Sequence, residues 1–201
     1  MKKMILAAMM MVFAMSVSAQ HEVGSITFQP KVGVNGSLMY MNNDDIDLEG
    51  VGGFIAGAEF EYRMTKWLAV SAGAMYSQQG GKVKHKEFNV EQTARIDFVT
   101  IPILANFYIW KGLALKIGVE PAFKVRDDLK MPENNMAFMA SKYSFGEVNR
   151  FDLRVPLGVS YDFGKFSLEF STNGGLTKAM KNKDYYNAYA SFRLGYKFSL
   201  K

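Results

Sequence analysis

Apolar and polar residues alternate along most of this chain with a period of two. The clearest example is the stretch LALKIGVEPAFKVR, which begins at Leu113. Every second position from that leucine is apolar, and the positions between them include Lys116, Glu120, Lys124 and Arg126. Side chains of a β-strand point to its two faces in turn, so the pattern predicts a strand with one apolar face and one charged face.

Eight such segments follow one another, and hardly any stretch keeps the period of 3.6 that an amphipathic helix requires. They cover residues 26–40, 53–63, 67–77, 96–110, 113–126, 149–163, 166–176 and 186–200. Each is as long as the roughly 9 to 11 residues that a tilted strand needs to cross a bilayer. The fourth begins with ARIDF, which does not alternate cleanly and indicates either a β-bulge or a strand that extends beyond a membrane.

The connections between these segments alternate strictly between short and long. The short ones are 64–66, 111–112 and 164–165, and the long ones are 41–52, 78–95, 127–148 and 177–185. Outer-membrane barrels have short periplasmic turns and longer external loops, whereas a soluble sandwich has no reason to confine its short turns to one end. We therefore predict an all-β fold, an eight-stranded antiparallel up-and-down transmembrane β-barrel with four long external loops.

Aromatic residues concentrate near both ends of the predicted strands, and the apolar face between them is mostly aliphatic. Rings of this kind prefer the headgroup level of a bilayer. The predicted aromatic girdle consists of Tyr40, Phe54, Tyr62, Trp67, Tyr76, Phe107, Trp110, Phe123, Phe151, Phe163, Phe166, Tyr186 and Phe198. Phe98 and Tyr108 are assigned to the same two bands.

Charged residues fall on the opposite face of these strands. A Lys or Arg facing lipid near mid-bilayer would cost roughly 2–4 kcal/mol, so the charges are expected to face the lumen. The predicted lumen charge network consists of Lys31, Glu59, Glu61, Arg63, Lys116, Glu120, Lys124, Arg126, Arg150, Asp152, Arg154, Asp162, Glu169, Arg193 and Lys197. Eight strands enclose a space just wide enough for side chains, which favours a salt-bridged plug over a conduit or ligand pocket.

The N-terminus resembles a bacterial secretory signal. Lys2 and Lys3 precede an apolar run over residues 5–15, and Ala19 ends a stretch of small residues suited to cleavage. The run is shorter than the roughly 18 apolar residues of a membrane-spanning helix. Residues 1–19 are thus predicted to be a cleaved signal peptide and 20–201 the barrel domain, exported to the outer membrane. The chain has no Cys, which excludes disulfides, thiolate sites and an acylated N-terminal Cys.

Little in the sequence points to chemistry. The formal net charge of +5 is too weak to argue for nucleic acid, and no zinc spacing, phosphate loop or dinucleotide fingerprint occurs. A hydrolase would need His85 beside a loop serine such as Ser77, and nothing in the spacing favours that arrangement. We predict no enzyme, and no catalytic, cofactor-binding or metal site.

Three of the predicted loops have a distinctive composition. Asp44, Asp45, Asp47 and Glu49 could hold calcium, although they lack the regular ligand order of a calcium loop and suit a solvated acidic loop better. Two loops are basic and could meet lipopolysaccharide phosphates, although ordinary solvation suits them better; their lysines are Lys82, Lys84, Lys86, Lys178, Lys181 and Lys183. The loop over 127–148 combines Met and aromatic residues, which suits either a protein contact or a cover over the barrel mouth.

Three stretches carry a resemblance to a known family. DFVTIPILANFYIWKGLALKIGVEPAF, RFDLRVPLGVSYDFGKFSLEFSTNGGLTK and SFRLGYKF together resemble the PorT-like outer-membrane β-barrel domain family, and their most specific feature is the pair Ile101-Pro102. The resemblance implies an eight-stranded integral outer-membrane protein of a Gram-negative cell envelope, of a kind often called porin-like. Such proteins usually end on the aromatic that the insertion machinery reads, whereas here Tyr196, Phe198 and Leu200 are expected to share that role.

These features together predict a structural or interaction protein that acts through its external loops. The expected partners are outer-membrane lipid and lipopolysaccharide, the barrel-insertion machinery at the C-terminal strand, and an envelope protein, with no nucleic acid. Three alternatives stay open: passive passage of small solutes, a lipid-modifying barrel enzyme, and a soluble lipocalin-like barrel whose apolar face would point inward.

Overall fold

The computed structural model describes residues 22–41, 47–85, 90–130, 148–179 and 185–200. Ten β-segments make up the fold: β1 (Ile26–Met41), β2 (Asp47–Arg63), β3 (Leu68–His85), β4 (Val90–Thr100), β5 (Ile103–Trp110), β6 (Leu113–Lys130), β7 (Phe151–Phe163), β8 (Phe166–Gly175), β9 (Tyr185–Tyr196) and β10 (Phe198–Ser199). Within these ranges no helix is long and apolar enough to cross a membrane. The predicted signal peptide lies outside the described residues.

These ten segments form eight barrel strands. The fourth barrel strand consists of β4 and β5, which are separated at Ile101 and Pro102. Proline has no backbone N–H to donate to a neighbouring strand, but its carbonyl still accepts a hydrogen bond from Gly73 N at 3.1 Å. The eighth barrel strand consists of β9 and β10, separated at Lys197.

Each barrel strand pairs with its neighbours along the chain in antiparallel register. The ring closes because β1 pairs with both β9 and β10, for example at Val34–Phe192 and at Phe28–Phe198. The predicted closed eight-stranded antiparallel barrel is thereby confirmed.

The irregular ARIDF segment has both of the features that could explain it. Asp97 pairs with Arg126 but Phe98 pairs with Lys124, so the register between β4 and β6 shifts by one residue at a bulge. The strand also extends outward as far as Val90, which pairs with His85 of β3.

The short connections lie at one end of the barrel, as predicted, but two of the predicted long loops at the other end are mostly strand. We call these ends the turn end, where the short connections lie, and the loop end. At the turn end, Gly112 and Gly164 adopt left-handed backbone conformations, with φ of 77° and 60°. At the loop end, the predicted loops 41–52 and 78–95 are mostly strand, because β2 begins at Asp47, β3 ends at His85 and β4 begins at Val90. Their Gly-rich and charged sequence does not alternate like a membrane strand, which is why the sequence placed them in loops.

The two faces of the barrel have opposite character. Aliphatic side chains such as Val34, Leu115 and Ile117 are exposed on the outside, while polar and charged side chains fill the inside. This is the reverse of a soluble barrel and rules out the lipocalin-like alternative, in which the apolar face would be enclosed.

Candidate functional site

Twelve of the fifteen predicted network residues are buried inside the barrel. They are Lys31, Glu59, Glu61, Arg63, Lys116, Glu120, Asp152, Arg154, Asp162, Glu169, Arg193 and Lys197. Six of these side chains are basic and six are acidic, so the charges of these twelve residues balance formally. Balance matters here because an unpaired charge removed from water is very costly.

The other three predicted residues lie at the loop end, outside this enclosed set. Lys124 is half-buried, while Arg126 and Arg150 are exposed, contrary to the prediction that they are enclosed. The cause is their position: Lys124 and Arg126 flank the bulge, and Arg150 precedes β7, where the chain has left the enclosed part of the barrel. At the loop end, period-two alternation therefore no longer predicts which side chains face the lumen.

Five side chains form a compact group in the lumen, which we call the central cluster: Lys31, Glu59, Lys116, Glu169 and Arg193. Glu169 is 2.7 Å from Lys31 Nζ, 2.8 Å from Lys116 Nζ and 2.7 Å from Arg193 Nη2. Glu59 is 2.7 Å from Lys31 Nζ and 3.6 Å from Lys116 Nζ. Two carboxylates thus hold three cations, and the group joins β1, β2, β6, β8 and β9.

A second group lies nearer the turn end, and we call it the lower cluster: Glu61, Asn106, Tyr108, Asp162 and Lys197. Tyr108 Oη donates to Glu61 Oε1 at 2.8 Å, and Asn106 Nδ2 donates to Glu61 Oε2 at 2.8 Å. Lys197 Nζ donates to Asp162 Oδ2 and, at 3.2 Å, to Tyr108 Oη. Since β10 follows Lys197, this cluster ties the last barrel strand to the interior.

The level above the central cluster, toward the loop end, mixes charge with apolar side chains. This upper layer consists of Ile55, Met75, Phe98, Glu120, Asp152, Arg154 and Tyr189, all of them buried. Arg154 Nε donates to Asp152 Oδ2 at 2.8 Å, and the guanidinium carbon lies 4.5 Å from the centre of the Phe98 ring. Tyr189 Oη donates to Glu120 Oε1 at 2.8 Å. Ile55, Met75 and Tyr189 form one apolar contact group.

The sequence misplaced or missed several of these lumen residues. Phe98 and Tyr108 were assigned to the aromatic bands, yet Phe98 is buried inside and Tyr108 donates to a lumen carboxylate. Ile55, Met75 and Tyr189 were not recognised as parts of a site. Their positions within the alternation carried the signal, since Ile55 has the same parity as Glu59 and Met75 the same parity as Ser71.

Glycines make room for the long side chains of the lumen. A Cβ atom at Gly57 would lie 2.7 Å from Met75 Sδ, and one at Gly73 would lie 2.7 Å from Glu59 Cγ. Both glycines occupy inward positions of β2 and β3. A Cβ at Gly57 would also overlap the backbone oxygen of Ala74, and one at Gly73 that of Ala58, so a larger residue would clash with the adjacent strand as well as with a lumen side chain.

The aromatic side chains on the outside pair across strands. At the loop end Phe54 packs on Tyr76 and Phe123 on Phe151, each pair with ring centres 5.5 Å apart. At the turn end the paired rings are Trp67–Phe107, Phe163–Phe166, Phe166–Tyr196 and Tyr196–Phe198. Twelve of the thirteen predicted girdle residues are exposed or half-buried, and the side chain of Tyr40 lies outside the described part.

The structure offers no support for the hydrolase arrangement considered from the sequence. Ser77 and His85 lie on the same strand, eight residues apart. At about 3.3 Å per residue the two backbones are roughly 26 Å apart, too far for a nucleophile and its base.

The acidic loop pairs with a basic one along the extended hairpins. Asp47 and Glu49 lie opposite Lys84 and Lys82 in the register of β2 and β3. Asp44 and Asp45 lie outside the described residues. Across the part of the chain that is described, no group of three or more His, Asp or Glu residues is placed to hold a metal ion.

Comparison with known proteins agrees with this architecture. The structure is similar to neisserial surface protein A, with a TM-score of 0.57 at 13% identity, covering 85% of this chain and 97% of that one. It is also similar to the outer membrane protein OprG from Pseudomonas aeruginosa, with a TM-score of 0.51 at 13% identity, covering 89% and 97%. No curated protein sequence matches significantly. The outward apolar face, the enclosed charges and a match of residues 18–181 to the family's sequence profile lead to one assignment: the chain belongs to the outer membrane protein beta-barrel domain family.

Proposed function

We propose that this outer-membrane barrel is a closed scaffold that acts through its loop end, as a structural or interaction protein rather than as a pore. The observation that carries the proposal is the central cluster. Its two carboxylates each contact cations from other strands, so the lumen is spanned by charged side chains whose partners are all enclosed.

A conduit would have to displace these side chains. Moving Lys31 aside would break a 2.7 Å ion pair with each of Glu59 and Glu169, and removing one partner of a buried ion pair outright costs roughly 3–5 kcal/mol. Solute passage at rest is therefore disfavoured by the same contacts that hold the barrel together.

Conductance of the purified protein in planar bilayers tests the closed state. We expect no stepwise current from the wild type, and steps from the variant Lys31→Ala/Glu59→Ala, which removes one cation and one carboxylate together and keeps the formal charge balanced. Current steps of equal size and frequency in both proteins would contradict the proposal.

The interaction role rests on the composition of the loop end. Arg150 and Lys178 are exposed there. The Met- and aromatic-rich segment 131–147 lies outside the described residues and enters only through its sequence. We propose lipopolysaccharide phosphates as partners of the basic side chains and an envelope protein as the partner of that segment.

A pull-down from detergent-solubilised envelope, comparing the wild type with a variant shortened over 132–146, tests the protein partner. The variant should fail to capture a specific protein that the wild type captures; an identical set of captured proteins would count against this role.

One observation favours passage of small solutes as a second candidate. Among the described side chains, buried polar atoms without a hydrogen-bond partner include Arg154 Nη1 and Nη2 and Arg193 Nε and Nη1. Such groups are usually satisfied by ordered water, and a chain of water could carry very small solutes. Liposome swelling separates the two candidates: swelling in glycerol for the wild type favours passage, and none favours the closed scaffold.

We also propose that the chain falls in the PorT-like part of the family. The support is the resemblance over residues 97–123, 150–178 and 191–198. A sequence profile built from PorT-like members alone should score this chain above the broad family profile, and a lower score would reject the placement.

A further inference from the structure

A small basic cavity opens at the turn end of the barrel. It has a volume of about 250 Å³ and is lined mainly by Arg63, Lys66, Tyr108, Trp110, Lys111 and Gly112. The short turns 64–67 and 111–112 bring these residues together from β2 and from β5. Lys66, Trp110 and Lys111 are exposed, whereas the Arg63 side chain forms the inner wall.

Arg63 is the unusual member of this cavity. It is 96% buried, with a relative exposure of 4%, yet its Nε and Nη1 atoms have no hydrogen-bond partner among the described residues. Its guanidinium carbon lies 3.5 Å from the centre of the Tyr108 ring, a stacking contact that fixes the plane of the guanidinium but uses no N–H group.

The nearby carboxylates do not provide an ion-pair partner for Arg63. Glu61 already accepts hydrogen bonds from Tyr108 and Asn106, and Asp162 accepts one from Lys197. No ion pair joins Arg63 to a carboxylate in the described part of the chain. The other deeply buried cations, such as Lys31, Lys116 and Arg193, each contact at least one carboxylate.

The charges that line the cavity also favour an anion. Arg63, Lys66 and Lys111 give the lining three cationic side chains. The lining contains no carboxylate. A buried guanidinium without a carboxylate partner, set beside two exposed ammonium groups, is suited to an anion such as a carboxylate or a phosphate.

We propose that this cavity is a binding site for a single oxyanion group, a carboxylate or a phosphate, presented at the turn end. The cavity is smaller than the roughly 300–1,000 Å³ of whole-ligand pockets. It therefore accepts either a free small anion or the charged end of a larger molecule. Arg63 supplies the cation at the inner wall, Lys66 and Lys111 attract the anion, and Trp110 lines one side.

Anion titration of the mature protein in detergent micelles tests the site. Trp67 and Trp110 are the only tryptophans of the chain, so the background variant Trp67→Phe leaves Trp110 as the sole reporter of the cavity. Inorganic phosphate and acetate are titrated separately at constant ionic strength set with sodium chloride. We expect a saturable change in Trp110 fluorescence, and the anion with the lower Kd indicates whether phosphate or carboxylate is the natural group.

Two variants and one control make the test specific. Arg63→Gln should raise the Kd about tenfold or more, and Lys111→Gln, at an exposed side chain, about two- to fivefold. Arg95→Gln removes the same charge at an exposed position of β4 at the loop end and should leave the Kd unchanged. The inference is overturned if the wild-type signal does not saturate, or if Arg63→Gln and Arg95→Gln have equal affinities while both retain the heat-modifiable migration of a folded barrel.

Discussion

The central cluster and the upper layer occupy neighbouring levels of one lumen, yet different interactions hold them together. In the central cluster Glu169 contacts three cations from three strands. In the upper layer Arg154 contacts Asp152 with one nitrogen and stacks its guanidinium near Phe98, while Ile55 and Met75 pack around Tyr189.

The comparison shows that a residue's position in the strand alternation, rather than its polarity, decides whether its side chain faces the lumen. Apolar side chains on inward positions are enclosed as fully as charged ones: Ile55 and Arg154 are both 0% exposed. Variants in the two levels should therefore differ in the size and the kind of stability loss they suffer.

The largest effect is expected from Glu169→Gln in the central cluster. The change removes one of two carboxylates that face three buried cations, so like charges lose their compensation. We expect the free energy of unfolding to fall by roughly 3–5 kcal/mol, measured by urea unfolding in lipid vesicles. Glu22→Gln, the same change at an exposed position before β1, should have almost no effect.

Phe98→Ala should cause the next largest loss of stability, because it leaves a cavity in the upper layer. Truncating a buried phenylalanine costs about 3 kcal/mol, and here the stacking partner of Arg154 is lost as well. The matched control is Phe170→Ala, whose ring is 48% exposed on the outer face, where acyl chains can fill the space. Equal losses of stability in both variants would mean that Phe98 does not point inward.

Tyr189→Phe tests a single hydrogen bond of the upper layer. It removes the hydroxyl that donates to Glu120 and leaves the ring in its apolar contacts. The unfolding free energy should fall by about 1–2 kcal/mol. A double-mutant cycle with Glu120→Gln should show coupling between the two side chains, while Tyr62→Phe, at an exposed ring, should not couple to Glu120→Gln.

The smallest effect is expected from Met75→Leu, which alters shape without altering polarity or volume greatly. Such swaps in a core usually cost less than about 1.5 kcal/mol. The same unfolding measurement should place this variant close to the wild type. A loss as large as that of Glu169→Gln would mean that packing in the upper layer is as demanding as ion pairing in the central cluster.

Strand number, strand order and the inward position of twelve charges could be predicted because a lipid-facing strand must alternate. Leu115 and Lys116 illustrate the rule, one exposed on the outside and the other 5% exposed inside. The rule fails at the loop end: the irregular ARIDF segment indicated a bulge or an extended strand, but the alternation did not show that Arg126 lies beyond the bulge or that β2 and β3 stay paired through Asp47 and Lys84. Beyond the hydrocarbon no lipid selects one face, so the alternation carries less information.

The sequence predicted which charged residues enter the lumen but not how they pair. Charges on inward positions indicated a network, but which cation meets which carboxylate depends on register between strands far apart in the chain, such as Lys31 and Glu169. The free N–H groups of Arg63 could not be anticipated at all, because they result from competing partners that satisfy Glu61 first.

The seam between the first and last barrel strands has a consequence for assembly. Val34 pairs with Phe192 and Phe28 with Phe198, so the ring cannot close until the ribosome has released nearly the entire polypeptide. Folding must then wait for contacts of very long sequence separation, the kind that slows β-rich proteins most. Until Lys197 docks beside Asp162, the nascent barrel has open strand edges that other chains could join, and a chaperone in transit is what would keep those edges apart.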